Sequence, residues 1–337
     1  MTFKLSFSKL SLLILSVVAL SFTSCDDDDD PIIGGEFGDD GTLVLSSNTS
    51  GMVGILQLDD EPLDIETFTA EGMDADGIYY DDDQGNIFQV HRSNSRIVEY
   101  NDVIDDLDDP NGIDVESRSS ADFDNGRGLA VRDDNLVVAN DSDADSVMNA
   151  FYRYDITGDE EISYVGMHPT NINLWGIQFF GTSLYAVVDN SDSIAIFDNF
   201  LDNAAGDTVM PTRFFRVEGI TRTHGLQYDS EADMMILTDI GDAGSDSDGA
   251  IIVIENYRDI EGDVITEADY TRISGAATML GNPVDVEYDP ETERIYVAER
   301  ANSGGMLLIF DMDASGNVAP AQTLSFPGIS SLNLSRD

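Results

Sequence analysis

Four side chains of unlike chemistry occupy one repeated position. Asp76, Arg127, Trp175 and His224 each stand directly before a Gly-Ile or Gly-Leu pair, at a spacing of roughly fifty residues. A carboxylate, a guanidinium, an indole and an imidazole brought to one place could grip a small polar ligand or move protons. A slot kept for structure alone tends to hold one residue type, as the neighbouring glycine nearly does, so this variety points to a pocket. The structural alternative pairs Arg127 with Asp76, makes Trp175 a channel plug and uses His224 to cap a neighbouring backbone. In two further units the position becomes Val284, with Asp285 beside it, and Ser330.

A second recurrent position ends in Asn48, His91, Arg92, Asn140, Asp141, Asp189, Asn190, Asp239, Glu299 and Arg300. The candidate ligand-binding set is Asp76, Arg127, Trp175, His224, Asp189, Asn190, Asp239, Glu299 and Arg300. Zinc and iron are disfavoured, because the chain has only His91, His168 and His224 and one cysteine. Calcium, which takes carboxylates and carbonyls, is the metal the ligand chemistry would admit. Asp141, Asp143 and Asp145 alternate like the start of a calcium loop, and Asp246 and Asp248 precede Gly249. Both stretches lack ligands of a full loop, and an acidic chain produces such patterns by chance. No Gly-x-Ser-x-Gly elbow and no phosphate-cradling glycine loop is present, and no lysine follows Lys9. No residue is assigned a catalytic role.

The elements that must position these residues are strands. From Asp76, Gly128, Trp175, His224 and Val284 onward, apolar runs rich in β-branched and aromatic residues alternate with Asp/Gly/Ser/Asn punctuation, and no useful helical period appears. Three runs and often a fourth make each unit, as in a propeller blade. The ordered part begins with "GTLVLSSNTSGMVGILQLDD", which lacks a first strand, and the chain ends with "GISSLNLSRD", a first strand without successors. Joined, they complete one blade and leave no open inner edge. The expectation is an all-β, six-bladed propeller over residues 42–337, closed by its C-terminal strand. Five or seven blades stay open, since residues 105–125 could hide or lack a strand.

Charge narrows the partners. Asp and Glu number 66 against 16 Lys and Arg, for a formal net charge of −50. Such a surface repels nucleic acid and anionic lipid and suits high salt, where like-charge repulsion is screened. Lys4 and Lys9 precede an apolar run and the small residues of "SFTSC", the pattern of a secretory signal. That ending resembles a lipobox, which implies a lipoprotein signal over residues 1–24 and a lipidated Cys25. An ordinary secretory signal is the alternative. Asp26–Asp30 would form a solvated tether within residues 25–41. An acidic run after such a cysteine resembles the surface-export signal of Bacteroidetes lipoproteins.

The repeat itself, in "ERIYVAERANSGGMLLIFDMD" and "SLYAVVDNSDSIAIFDNF", resembles NHL/YVTN-like propellers. This implies fold more than activity. The expected protein is an outer-membrane lipoprotein, surface-exposed or, as the alternative, facing the periplasm, monomeric, touching the membrane through its lipid alone. It would be a binding or scaffold module for a small molecule, glycan or protein at the channel mouth. The alternative is a divalent-metal lactonase of the gluconolactonase-like type, whose relatives hold the metal with acids and asparagines. Here Arg127 stands in that ring, and the comparable "PNG" spans residues 110–112.

Overall fold

The computed structural model describes residues 41–336 apart from 61, 108, 110, 111, 143–147, 159 and 160. The chain divides into units 1–37 and 38–337. The leader, Cys25, the tether, Pro110, Asn111, Asp143 and Asp145 all lie outside the described residues.

Six sheets follow one another, each built on a four-stranded antiparallel meander. Their inner strands are Ile329–Ser335 in blade 1, Ala75–Asp81 in blade 2 and Gly126–Arg132 in blade 3. Leu174–Phe180, Thr223–Asp229 and Pro283–Asp289 serve blades 4, 5 and 6. Each inner strand packs beside the next, and the inner strand of blade 6 packs beside that of blade 1, so the ring is closed. The expectation of a six-bladed all-β propeller holds. The undecided stretch supplies Val115–Arg118, the outer strand of blade 2. Blade 4 has a fifth strand, Val264–Ile265, parallel to Arg213–Val217.

Alternation along the strands builds the core. In blade 5, Met235 and Leu237 pack against blade 4, whereas Met234 and Ile236 pack against blade 6. Successive side chains point to opposite faces of a sheet buried on both, which is why the runs read as continuously apolar. The result is six clusters, one at each interface between blades.

The ring closes as the two chain ends require. Ile329–Ser335 pairs antiparallel with Thr42–Ser47, placing Leu332 opposite Leu45 and Leu334 opposite Leu43. The strand also grips both neighbouring blades. Ser330 Oγ donates to the Ala75 carbonyl at 2.9 Å, and Ser331 Oγ donates to Asp285 at 2.7 Å.

At the hub the inner strands meet backbone to backbone. A Cβ on Gly77 would lie 2.7 Å from the Arg127 carbonyl oxygen, and one on Gly225 would lie 2.8 Å from the Asp285 Cα. Gly128 and Gly176 face the next strand's carbonyl in the same way. The repeated glycine is therefore a requirement of close approach.

Candidate functional site at the channel mouth

The residue before each hub glycine opens on one end of the channel. Asp76, Arg127, Trp175 and His224 come together there with Val284, Asp285, Ser330 and Ser331 around a void of about 20 Å³. Blades 3, 4 and 5 stack their side chains in ring order. The Trp175 and His224 rings are 3.6 Å apart at 8°, and the Arg127 guanidinium carbon lies 4.1 Å from the Trp175 ring. Trp175 is thus held between a cation and an imidazole from its two neighbours, with its faces already covered.

Charged contacts extend the chain of residues. Arg127 Nη1 and Arg92 Nη1 approach Asp76 at 3.4 and 3.6 Å, and Arg92 is also paired with Asp74. Across the ring, Asp189 receives Arg222 Nε at 2.7 Å and His224 Nε2 at 3.1 Å. Burial would raise the Asp189 pKa, yet hydrogen bonds from His224 and Arg222 hold it at about 2. Burial brings His224 down to about 4 against the pull of Asp189, so at neutral pH the imidazole is neutral. An ionised carboxylate only accepts, so Nε2 carries the proton, and His224 Nδ1 is a buried acceptor with no partner. Burial pushes Asp76 up to about 6, opposed by Arg92 and Arg300.

The other candidates divide by what they touch. Asn190 donates both its backbone N–H and its side-chain amide to Asp189. Asp239 accepts the N–H groups of Thr221, Arg222 and Gly241 and pairs with Arg272 at 3.1 Å. Glu299 accepts from Gly281, Asn282, Ala301 and Asn302. These two acids hold the loops that lead into and out of the mouth. The backbone N–H of Arg300 donates to the Asn282 carbonyl at 3.0 Å, whereas its guanidinium forms no hydrogen bond or ion pair with any of the described residues. Asp141 accepts the Leu174 N–H at 3.3 Å. Asp246 and Asp248 are exposed, and Asp248 accepts the Asp242 N–H. Among the described residues, the acids close enough to share an ion are Asp81, Asp82 and Asp83, at the far end of the strand that begins beside Asp76.

Two features escaped the sequence reading. Arg222 stands two residues before His224 in "RTH", and only the fold turns it onto Asp189. Below the glycine neck lies a chamber of about 210 Å³, lined by Tyr79, Gln178, Gln227, Asp285, Glu287 and Asn333 among others. A signal for it existed: position two after the hub glycine reads Tyr79, Ala130, Gln178 and Gln227, with Glu287 and Asn333 in register. Among the described residues, no Lys, Arg or His lines this chamber.

Asp285 and Glu287 reach the channel's interior but are walled by protein. Burial raises Asp285 to about 6 and Glu287 well above its ordinary 4.5, with Asp285 adding repulsion. A folded pKa above the unfolded one means that stability is fully present below pH 4.5 and is lost as pH rises through the folded value. Glu287→Gln is therefore expected to melt above the wild type at pH 8, with the gap closing toward pH 4.5. Thermal unfolding at the two pH values checks this, and a gap that widens in acid contradicts it.

No protein-family model matches the chain, and no curated protein does. Solved structures do. A chain of a nidogen/laminin complex superposes with TM-score 0.60 at 12% identity, over 87% of this chain and 98% of the other. A Bacteroides caccae protein of unknown function gives 0.60 at 10%, over 88% and 100%. The periplasmic gluconolactonase of Pseudomonas aeruginosa gives 0.60 at 13%, over 87% and 98%. At such identities the likeness concerns fold. Together with the ring described above, it places the chain among six-bladed β-propellers.

Proposed function

We propose that this chain is a lipid-anchored propeller of the NHL/YVTN-like kind, carried on the outer face of the cell envelope, that binds a ligand at the Trp175 mouth without turning it over. The observation that carries this reading is the continuous run Arg92–Asp76–Arg127–Trp175–His224–Asp189–Arg222. Side chains from four blades touch in series at one open end. Such prearranged polar and aromatic groups at a channel end are what a recognition site needs. The resemblance to a propeller from a protein–protein complex fits a binding role. The lactonase alternative draws less support from the donor set, since four arginines crowd the place where that chemistry would seat a divalent cation.

Two measurements test the proposal. Cys25→Ser should move the protein from the membrane fraction to the soluble one, and retention at the membrane would refute the anchor. Trp175→Ala should weaken ligand uptake about tenfold, or roughly 1.4 kcal/mol, with the ligand recovered chemically unchanged. Chelator-sensitive conversion of the ligand would favour hydrolysis instead.

A further inference from the structure

Four arginines gather at the mouth of a chain that is otherwise strongly acidic. Arg92, Arg127, Arg222 and Arg300 reach it from blades 2, 3, 5 and 6, although the whole sequence carries a charge of −50. The carboxylates around them are already engaged: Asp74 is paired with Arg92. Asp189 is shared by Arg222, His224 and Asn190. Asp239 and Glu299 are turned to loop N–H groups. Asp76 serves both Arg92 and Arg127, but at 3.6 and 3.4 Å, well beyond the ~2.8 Å of a charge-assisted hydrogen bond. The Nε groups of Arg92 and Arg127 are buried donors with no acceptor among the described residues. Each guanidinium brings five N–H donors and no acceptor, so donors exceed acceptors at this end of the channel.

Arg300 sharpens the point. Its backbone N–H is tied to the Asn282 carbonyl at 3.0 Å, at the start of the inner strand of blade 6, while its guanidinium has no partner among the described residues and the residue is partly buried. Its field is felt at Asp76 and at His224, which stand on blades 2 and 5, opposite one another in the ring. Arg300 therefore stands at the mouth end of blade 6, within electrostatic reach of both. The void among the mouth side chains is only about 20 Å³, so what these arginines meet must sit on the mouth and not inside it.

We infer that the mouth recognises an oxyanion group, seated beside Arg300 and backed by Arg127 and Arg92. The group is a carboxylate carried by a small organic molecule, because a planar fork matches a carboxylate edge with two parallel bonds. This rests on the mouth being the binding site and names what it binds.

Galacturonate and galactose, which differ by a carboxylate, are the probes, with inorganic sulfate as a competitor. Each is titrated into the full mature chain at millimolar concentration and followed by calorimetry. Galacturonate should bind at least tenfold more tightly than galactose, and Arg300→Gln should remove that advantage while leaving the melting temperature unchanged. Sulfate should compete with galacturonate but bind more weakly. Sulfate binding as tight as galacturonate would point to a free inorganic anion and overturn the organic carboxylate. Equal binding of the two sugars, or no binding by any probe, overturns the inference. If galactose binds and Trp175→Ala abolishes it while Arg300→Gln does not, the mouth stands and the anion falls. Galacturonate binding indifferent to both substitutions would remove the mouth itself.

Discussion

A chain cut before Ile329 should yield no folded monomer. The deletion takes away Ile329 and Leu332, both buried between blades 1 and 6. Each buried aliphatic side chain of that size contributes about 2 kcal/mol. It also removes the pairing from Thr42–Ser335 to Ser47–Ile329, together with the Ser330 and Ser331 bonds to the flanking blades. The guanidinium of Arg336, which reaches Asp289 at 2.7 Å, goes with it. The sum rivals the ~5–15 kcal/mol by which a domain is stable, and it leaves Thr42–Ser47 as an open edge available to another chain. Size-exclusion chromatography and circular dichroism should show aggregate or oligomer in place of a monomer with a sharp melt. Moving residues 329–336 to a position just ahead of Gly41 should restore the fold, because the strand's place in the ladder does not depend on which end delivers it. A truncated monomer that melts like the wild type would show that the ring does not depend on its closure.

Asp189→Ala should cost about 3–5 kcal/mol, the usual penalty for stripping one partner from a buried charge cluster. Asp189 is 5% exposed and joins His224, itself 3% exposed, to Arg222. Without it a guanidinium and an imidazole N–H lose their acceptor, and the Trp175–His224 stack loses the group that orients the imidazole. The melting temperature should fall by about 10 °C. Ligand uptake should fall with it. Asp189→Asn keeps an acceptor and should lose less. The acid dependence carries a definite sign. Asp189 has a folded pKa of about 2 against an ordinary 3.8, so its contribution is present above pH 3.8 and lost as pH falls toward 2. The deficit of the alanine variant should therefore be constant from pH 5 to 7 and shrink in stronger acid. A deficit that grows below pH 3.8 would mean that the carboxylate is not ionised in the fold.

Much of the architecture can be read from the amino acids alone. Apolar runs of alternating residues between Asp-rich and Gly-rich turns name the strands, and their recurrence names the blade. The headless first blade and the orphan last strand dictate closure, because an inner edge left open costs more than a long-range pairing. The hub ring of Asp76, Arg127, Trp175 and His224 is legible too, since every blade sends the same register to the axis. These features depend on local alternation and on repetition, which sequence records directly.

The contacts that give the mouth its character were decided by the tertiary structure. Ring order and a glycine-lined hub bring Trp175 between Arg127 and His224, turn Arg222 onto Asp189 and leave the Arg300 guanidinium without a carboxylate among the described residues. Long arginine side chains choose partners by where neighbouring blades place their acceptors, and no spacing along the chain reports that. The loop-holding roles of Asp239 and Glu299 were hidden for the same reason: a carboxylate at a strand end looks alike whether it meets backbone N–H groups or a ligand. Glu287 became unusual only when six strands enclosed it, because desolvation belongs to the assembled ring and to no segment of it.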